Sequence, residues 1–170
     1  MRLLDIIISI TALFFLFPVF LLITVIIFLN DFKSPFFLQL RKGKGGCFKI
    51  IKFRTMSTDP ELTLRNVTFV GKYLRILSLD ELPQLLNVLI GEMSIVGVRP
   101  DLCVNKDDYC MERPGITGIA QINGRSNITE FDRNHFNELW EENASIKLYI
   151  STIYKTVIYI FSLNFFKDAN

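Results

Sequence analysis

The hydrophobic pattern separates an unbroken apolar opening from a remainder in which apolar and polar positions alternate. From Ile6 to Leu29 no side chain is charged, a run long enough to cross a hydrocarbon core as a helix. Pro18 interrupts it between Phe17 and Val19. A proline there either kinks a spanning helix or turns the chain back to the face it entered from, and the pattern leaves both open. After a turn at 31–35, residues 36–41 form a short apolar run, Lys42-Gly43-Lys44-Gly45-Gly46 a tight turn, and 47–54 a returning run. This predicts a β-hairpin. The glycines follow neither a Walker nor a dinucleotide-binding order, so a hairpin turn is the better reading.

Residues 57–66 are polar, contain Pro60 and read as a loop. The stretch 77–99 then organises the chain. Leu82, Leu85, Leu86 and Leu89 recur at helical spacing and predict a short helix with one apolar face. Ser78 and Glu81 fit a capping box, but that start leaves Pro83 inside the helix. A start at Asp80 puts Pro83 in the first turn and is preferred. Either start sets Asp80 and Glu81 at the positive end of a helix, which favours ionised carboxylates and welcomes a phosphate. Gly91 is a candidate helix stop. Gly97 permits a tight turn or close approach, and Arg99 offers a planar fork of donors suited to a phosphate, or an ordinary surface ion pair. Residues 101–112 are helical or irregular. The apolar, aromatic run 146–166, broken by Lys147 and Lys155, is compatible with a core helix or with a helix on a membrane surface.

Composition sharpens this outline. At 170 residues the chain suffices for one modest domain, and 50% hydrophobic residues with a positive mean hydropathy exceed the norm for a wholly soluble protein. The net charge of +2 matters less than its placement, because seven Lys or Arg and no acid lie between Phe32 and Met56. A basic patch beside an apolar segment suits an anionic lipid surface or a polyphosphate substrate. No finger, recognition helix or aromatic RNA-binding signature accompanies it, so nucleic acid is not an expected partner. Positive charge on both sides of the apolar run, from Arg2 and from Lys33, Arg41, Lys42 and Lys44, fits two ends on the cytoplasmic face better than a simple spanning helix. No small-residue cleavage pattern follows the run, so no removable signal peptide is expected. Cys47, Cys103 and Cys110 form no CxxC pair, and His135 is the sole histidine. A disulfide scaffold and a His/Cys metal site are therefore not expected, and the cysteines read as packing residues in a reducing compartment.

The run Ser78-Leu79-Asp80-Glu81-Leu82-Pro83-Gln84, with Asn87-Val88 and Gly91-Glu92-Met93-Ser94 after it, resembles the signature of the bacterial sugar transferases, the monotopic polyprenyl-phosphate sugar-1-phosphate transferases. Residues 114–125, Pro-Gly-Ile-Thr-Gly-Ile-Ala-Gln-Ile-Asn-Gly-Arg, resemble the family's second signature. The segments around Gln39-x-Arg41-x-Gly43, Lys52-Phe53-Arg54-x-Met56 and Thr68-x-x-Gly71-x-x-x-Arg75 are similar to family elements too. The resemblance implies an α/β fold: a small membrane-associated catalytic domain over 31–170, an N-terminal re-entrant helix-break-helix over 1–30 hinged at Pro18, and C-terminal interfacial helices.

It further implies transfer of a sugar-1-phosphate from a UDP-sugar to polyprenyl (undecaprenyl) phosphate with release of UMP, the initiating step of surface glycoconjugate assembly. Asp80 would be the nucleophile and Glu81 would help to hold Mg²⁺. Lys52, Arg54, Arg75, Arg99, Gln121, Asn123 and Arg125 would bind substrate and its phosphates. The expected location is the cytoplasmic face of the bacterial inner membrane, among membrane lipids and glycan-assembly enzymes. Tyr149, Ser151 and Asn137 depart from the Asp, Lys and Asp common in the family at those places. The loss of a carboxylate at Tyr149 motivates the competing reading, an inactive membrane-bound assembly protein that keeps the fold.

Overall fold

The computed structural model describes residues 1–57, 66–105, 108–123 and 128–160. Its first element is α1 (Arg2–Asp31), 30 residues long, about 45 Å at 1.5 Å per residue. Among the described residues it is the one helix long and apolar enough to cross a membrane. It continues through Pro18, where the sequence predicted an interruption. Proline removes one ladder bond and crowds one carbonyl, while the apolar residues on either side retain every other reason to stay helical, since open backbone is costly in apolar surroundings. One stripe of α1 is covered: Asp5, Ser9, Ile23 and Ile27 are buried, with Ala12, Leu13 and Phe20 partly so. The rest is bare, with Phe14 76% and Phe15 72% exposed.

Polar contacts pin both ends of α1 to the same body. Near its start, Arg2 donates to the carbonyls of Val88 and Leu89 at 2.5 and 2.8 Å. Buried Asp5 Oδ1 accepts from Ser94 Oγ (2.8 Å), the Ile95 N–H (2.8 Å) and the Tyr149 hydroxyl (2.7 Å). Three donors on one carboxylate oxygen offset much of the cost of burying it. At its end, Asp31 takes a two-pronged ion pair from Arg54, 2.5 Å on each prong.

The predicted hairpin is present. β1 (Phe36–Gly43) and β2 (Gly46–Phe53) pair antiparallel from Phe36 opposite Phe53 to Gly43 opposite Gly46. Gly45 turns the chain at φ +85°, a conformation that favours glycine. The segment after Arg99 runs back along this hairpin: the Lys42 N–H donates to Asp101 O and the Cys110 N–H to Gly43 O. Cys47 and Cys103 are joined there as a disulfide, Cα atoms 6.0 Å apart and 56 residues apart in sequence. This corrects the expectation of unpaired cysteines. Their partnership arises from the return of the 100–110 segment to the hairpin tip, which no local spacing announces. Cys110 stays a free thiol, pushed up to about 11 chiefly by burial.

The centre is built from α2 (Phe69–Ile76), α3 (Gln84–Ile90) and a two-stranded parallel sheet of β3 (Ser94–Val96) and β4 (Gly115–Thr117). The backbones of Gly97 and Gly115 touch: a Cβ on Gly115 would lie 2.1 Å from Gly97 N, so neither place tolerates a side chain without a shift. α4 (Ile119–Ile122), α5 (Glu130–Asn143) and α6 (Ile146–Ile160) follow. The larger core gathers Phe48, Ile50, Val88, Met93, Val96 and Trp140 with Tyr149 beneath the first half of α1. A smaller one joins Ile23 and Ile27 to Phe53 and Leu74, with the Phe36 and Phe53 rings stacked 5.7 Å apart. On α6, Tyr149 and Thr152 face inward while Ile150, Tyr154, Val157 and Ile158 are exposed. Residues 161–166 of the apolar C-terminal run lie outside the described residues.

Candidate active site

The acidic pair does not start an α-helix. Ser78 adopts a left-handed conformation (φ 54°) without a side-chain cap, and Leu79–Glu81 form a single 3₁₀ turn. α3 begins only after Pro83, at Gln84. Proline is comfortable at that boundary because it supplies no N–H and presets its own φ. The helix start expected at Asp80, and the capping box, are thus both replaced by a turn that projects two adjacent carboxyls.

Elements from three directions close on this turn. On β2, Lys52 shares the strand face of Phe48 and Ile50 and reaches out to Glu81, Nζ to Oε1 2.6 Å. In the last turn of α2, Arg75 donates through Nε to Thr55 Oγ1 at 2.8 Å. Asn87 stitches α3 to β2: its Oδ1 accepts from the Ile51 N–H (3.0 Å) and its Nδ2 donates to Lys49 O (2.8 Å) and Glu92 Oε2 (2.7 Å). That double stitch fixes the register of the strand carrying Lys52 against the helix that follows the acids.

The electrostatics of the pair are unequal. Asp80 is pushed up from 3.8 to about 6, first by burial and then by the neighbouring Glu81 charge, against the opposing pull of Lys52, Arg75 and its own backbone N–H. The helix-start field was expected to favour the ionised form, and at Asp80 burial outweighs it. A carboxyl near 6 is mostly ionised at neutral pH yet poorly solvated, which suits a nucleophile.

The other expected residues separate. Arg99 is partly buried, and its backbone N–H donates to Asn137 Oδ1 at 3.3 Å. Arg54 is committed to Asp31, and the Arg54 N–H bonds Pro35 O at 2.8 Å, so in this structure it fastens the end of α1. Gln121 on α4 has a buried Oε1 with no hydrogen-bond partner among the described residues. Exposed Asn123 folds back to Ile119 O at 2.7 Å. Arg125 lies outside the described residues. Pro18 is exposed in mid-α1.

Two residues escaped the sequence reading. Arg41 on β1 donates to Pro100 O (3.2 Å) and Gln39 Oε1 (2.6 Å). Burial and the neighbouring Arg99 charge draw it below its ordinary value, with Asp101 and Glu81 opposing, so it belongs to the same cluster of charges. Its place in the Gln-x-Arg-x-Gly element was the available signal. The second is Thr55, next to Arg54 in sequence. Tyr149, whose presence raised doubt about activity, is fully buried on Asp5, and it is not among the groups whose charge acts on Asp80.

A family model described as bacterial sugar transferase matches residues 1–163. The chain belongs to that family. Among similar proteins, the exopolysaccharide production protein ExoY of Sinorhizobium fredii is 36% identical, over 90% of this chain and 81% of ExoY. The UDP-glucose:undecaprenyl-phosphate glucose-1-phosphate transferase of Caulobacter vibrioides is 41% identical, over 76% of this chain and 55% of the relative. The undecaprenyl-phosphate galactose phosphotransferase of Salmonella typhimurium is 35% identical, over 68% and 31%. This sugar transferase therefore spans most of ExoY but only 31% to 55% of the two longer relatives. In all of them the match includes much of the chain described above.

Proposed function

We propose that this chain transfers a sugar-1-phosphate from a UDP-sugar to polyprenyl phosphate. The observation that carries the reading is the turn at Asp80 and Glu81: a half-buried carboxyl, pushed up to about 6, stands beside a Glu81 paired to Lys52 and feels the charges of Lys52 and Arg75 from separate elements. Such a setting fits attack on an anionic phosphoryl group, where cations must offset the repulsion between two negative partners. The names of the relatives from Caulobacter and Salmonella supply the substrate classes.

In this reading Asp80 attacks the phosphorus bonded to the sugar. The bridging P–O bond to the second phosphorus breaks, UMP leaves with the electron pair, and an aspartyl phosphosugar remains. A polyprenyl phosphate oxygen then attacks the same phosphorus, giving polyprenyl-diphosphate-sugar and restoring the Asp80 carboxylate. Lys52 holds Glu81 and moderates the charge on Asp80. Arg75, Arg99 and Arg41 meet phosphate oxygens, with Gln121 and Arg125 assigned to the donor substrate.

Mg²⁺ fits this donor set in one way. No group of three or more metal-ligating side chains exists among the described residues, and Mg²⁺ is commonly held by one or two carboxylates together with substrate phosphates. Glu81 would hold it with Asp80 adjacent, and when bound it would screen diphosphate charge and ease departure of UMP.

For the membrane, we infer a monotopic arrangement on the cytoplasmic face of the inner membrane. Both ends of α1 are tied to one body, through Asp5 and through Asp31. Anchoring of this kind supports a helix that keeps both ends on one side and presents its bare apolar face, Phe14 and Phe15 included, to a single leaflet. The exposed apolar face of α6 would rest on the lipid surface and admit the acceptor's greasy chain from that side. The motive for an inactive protein weakens with Tyr149 placed in the core.

The test is UMP release over a panel of UDP-sugars, with Mg²⁺ and polyprenyl phosphate present. At least one donor should give UMP and a polyprenyl-diphosphate-sugar in equal amounts. Folded protein that releases none across a broad panel would refute the reading.

A further inference from the structure

Thr55 is where β2, α2 and the arginine of the acidic site converge. It lies just past the end of β2 and is only 6% exposed. Its carbonyl accepts from the Thr68 N–H at 2.9 Å and from Thr68 Oγ1 at 3.3 Å. Thr68 in turn caps α2, its Oγ1 accepting from the Gly71 N–H at 2.9 Å. A Cβ on Gly71 would stand 2.1 Å from Thr55 O, so the first turn of α2 lies directly on the Thr55 backbone. One helical turn further along, Arg75 Nε donates to the Thr55 hydroxyl at 2.8 Å.

We propose that Thr55 is a positioning residue for phosphoryl transfer: its hydroxyl holds Arg75 by Nε and so sets the plane in which the guanidinium meets the phosphate above Asp80. This rests on the assignment of Asp80 as nucleophile and Arg75 as its phosphate-binding partner. The physical case is one of orientation. A guanidinium is a rigid planar fork, so fixing Nε fixes the direction of both terminal nitrogens. A hydrogen bond at Nε narrows the many rotamers open to an arginine, and displacement of a catalytic group by about 1 Å can cost on the order of a hundredfold in rate. Thr55 itself meets no substrate in this arrangement. Its backbone sets where α2 begins, and its side chain sets where the last turn of α2 points its charge.

The test is a double-mutant cycle on the first half-reaction, with the rate of adduct formation measured without lipid acceptor. The donor is UDP-glucose or UDP-galactose, whichever the wild type turns over. Thr55→Val keeps the shape and removes the acceptor; it should slow adduct formation by roughly tenfold to a hundredfold. Thr55→Ser restores the hydroxyl and should return the rate to within about threefold of wild type, which loss of packing alone would not permit. In an Arg75→Ala background, Thr55→Val should change the rate less than about twofold, because the group it positions is gone. If Thr55→Val does not fold, Thr55→Ala takes its place in the same cycle. An unimpaired hydroxyl-less variant, or an equal loss on both backgrounds, would overturn the proposal while leaving Asp80 and Arg75 in their roles. A fully active Arg75→Ala enzyme would instead remove the phosphate-binding reading on which it rests.

Discussion

Replacing Asp80, the proposed nucleophile, should make this protein more stable while making it inert. Asp80 is partly buried beside Glu81, and its carboxyl is raised from 3.8 to about 6. Between those two values the folded chain binds a proton that the unfolded chain has already lost, so stability falls as pH rises through that window and levels off above it. At about 1.4 kcal/mol per unit, the ionised carboxylate costs the folded state about 2 to 3 kcal/mol at neutral pH. Asp80→Asn has nearly the same shape and no charge, so it escapes that cost. Urea unfolding in one detergent, followed from pH 4 to pH 8 for both proteins, measures the difference. The variant should match the wild type near pH 4 and exceed it by about 2 to 3 kcal/mol at pH 8. Parallel curves, or a variant less stable at pH 8, would refute the argument that burial and Glu81 hold this carboxyl up.

Lys52→Met should move the acid limb of adduct formation, near pH 6 in the wild type, to higher pH, because Lys52 is the foremost charge opposing the upward shift of Asp80; an unmoved limb would contradict its pairing role. Tyr149→Phe removes one of three donors on Asp5, and should lower stability by about 1 to 2 kcal/mol with UMP release unchanged, as read by urea midpoints and initial rates. Reducing the Cys47–Cys103 bond, or replacing both residues with serine, opens a 56-residue separation and should lower stability by about 2 to 4 kcal/mol in the same unfolding assay.

How far the sequence could be read depended on whether a property was local. The uncharged run of α1 and a tight turn within Lys42 to Gly46 follow from hydropathy and glycine placement alone; both are found, the turn narrowed to Lys44 and Gly45. The acidic pair was legible as a motif, but its 3₁₀ turn was not. A left-handed Ser78 is uncommon for a residue with a Cβ, and nothing in the propensities of the segment announces it. Arg54 and Lys52 look alike in sequence, two cations on one strand end. Alternation puts both on one side, but Lys52 is still within β2 and reaches Glu81, whereas Arg54 lies just past the strand end, where it meets Asp31 from the end of α1. The Cys47–Cys103 bond and the bond from Tyr149 to Asp5 join positions 56 and 144 residues apart. Contacts at that range are decided by how elements pack, which periodicity does not encode. The raised carboxyl of Asp80 has the same origin: neighbours in sequence suggest an ionised helix start, and burial by distant elements reverses the balance.

In the proposed mechanism Asp80 carries the sugar phosphate between donor and lipid. Intact-protein mass spectrometry after incubation with a competent UDP-sugar and Mg²⁺, with no acceptor, tests it most directly. The protein should gain the mass of one sugar phosphate as UMP is released, with the adduct mapped by peptide analysis to Asp80, cleared by added polyprenyl phosphate and absent from Asp80→Asn. Full transfer activity in Asp80→Asn, or an adduct mapped to another residue, would contradict it.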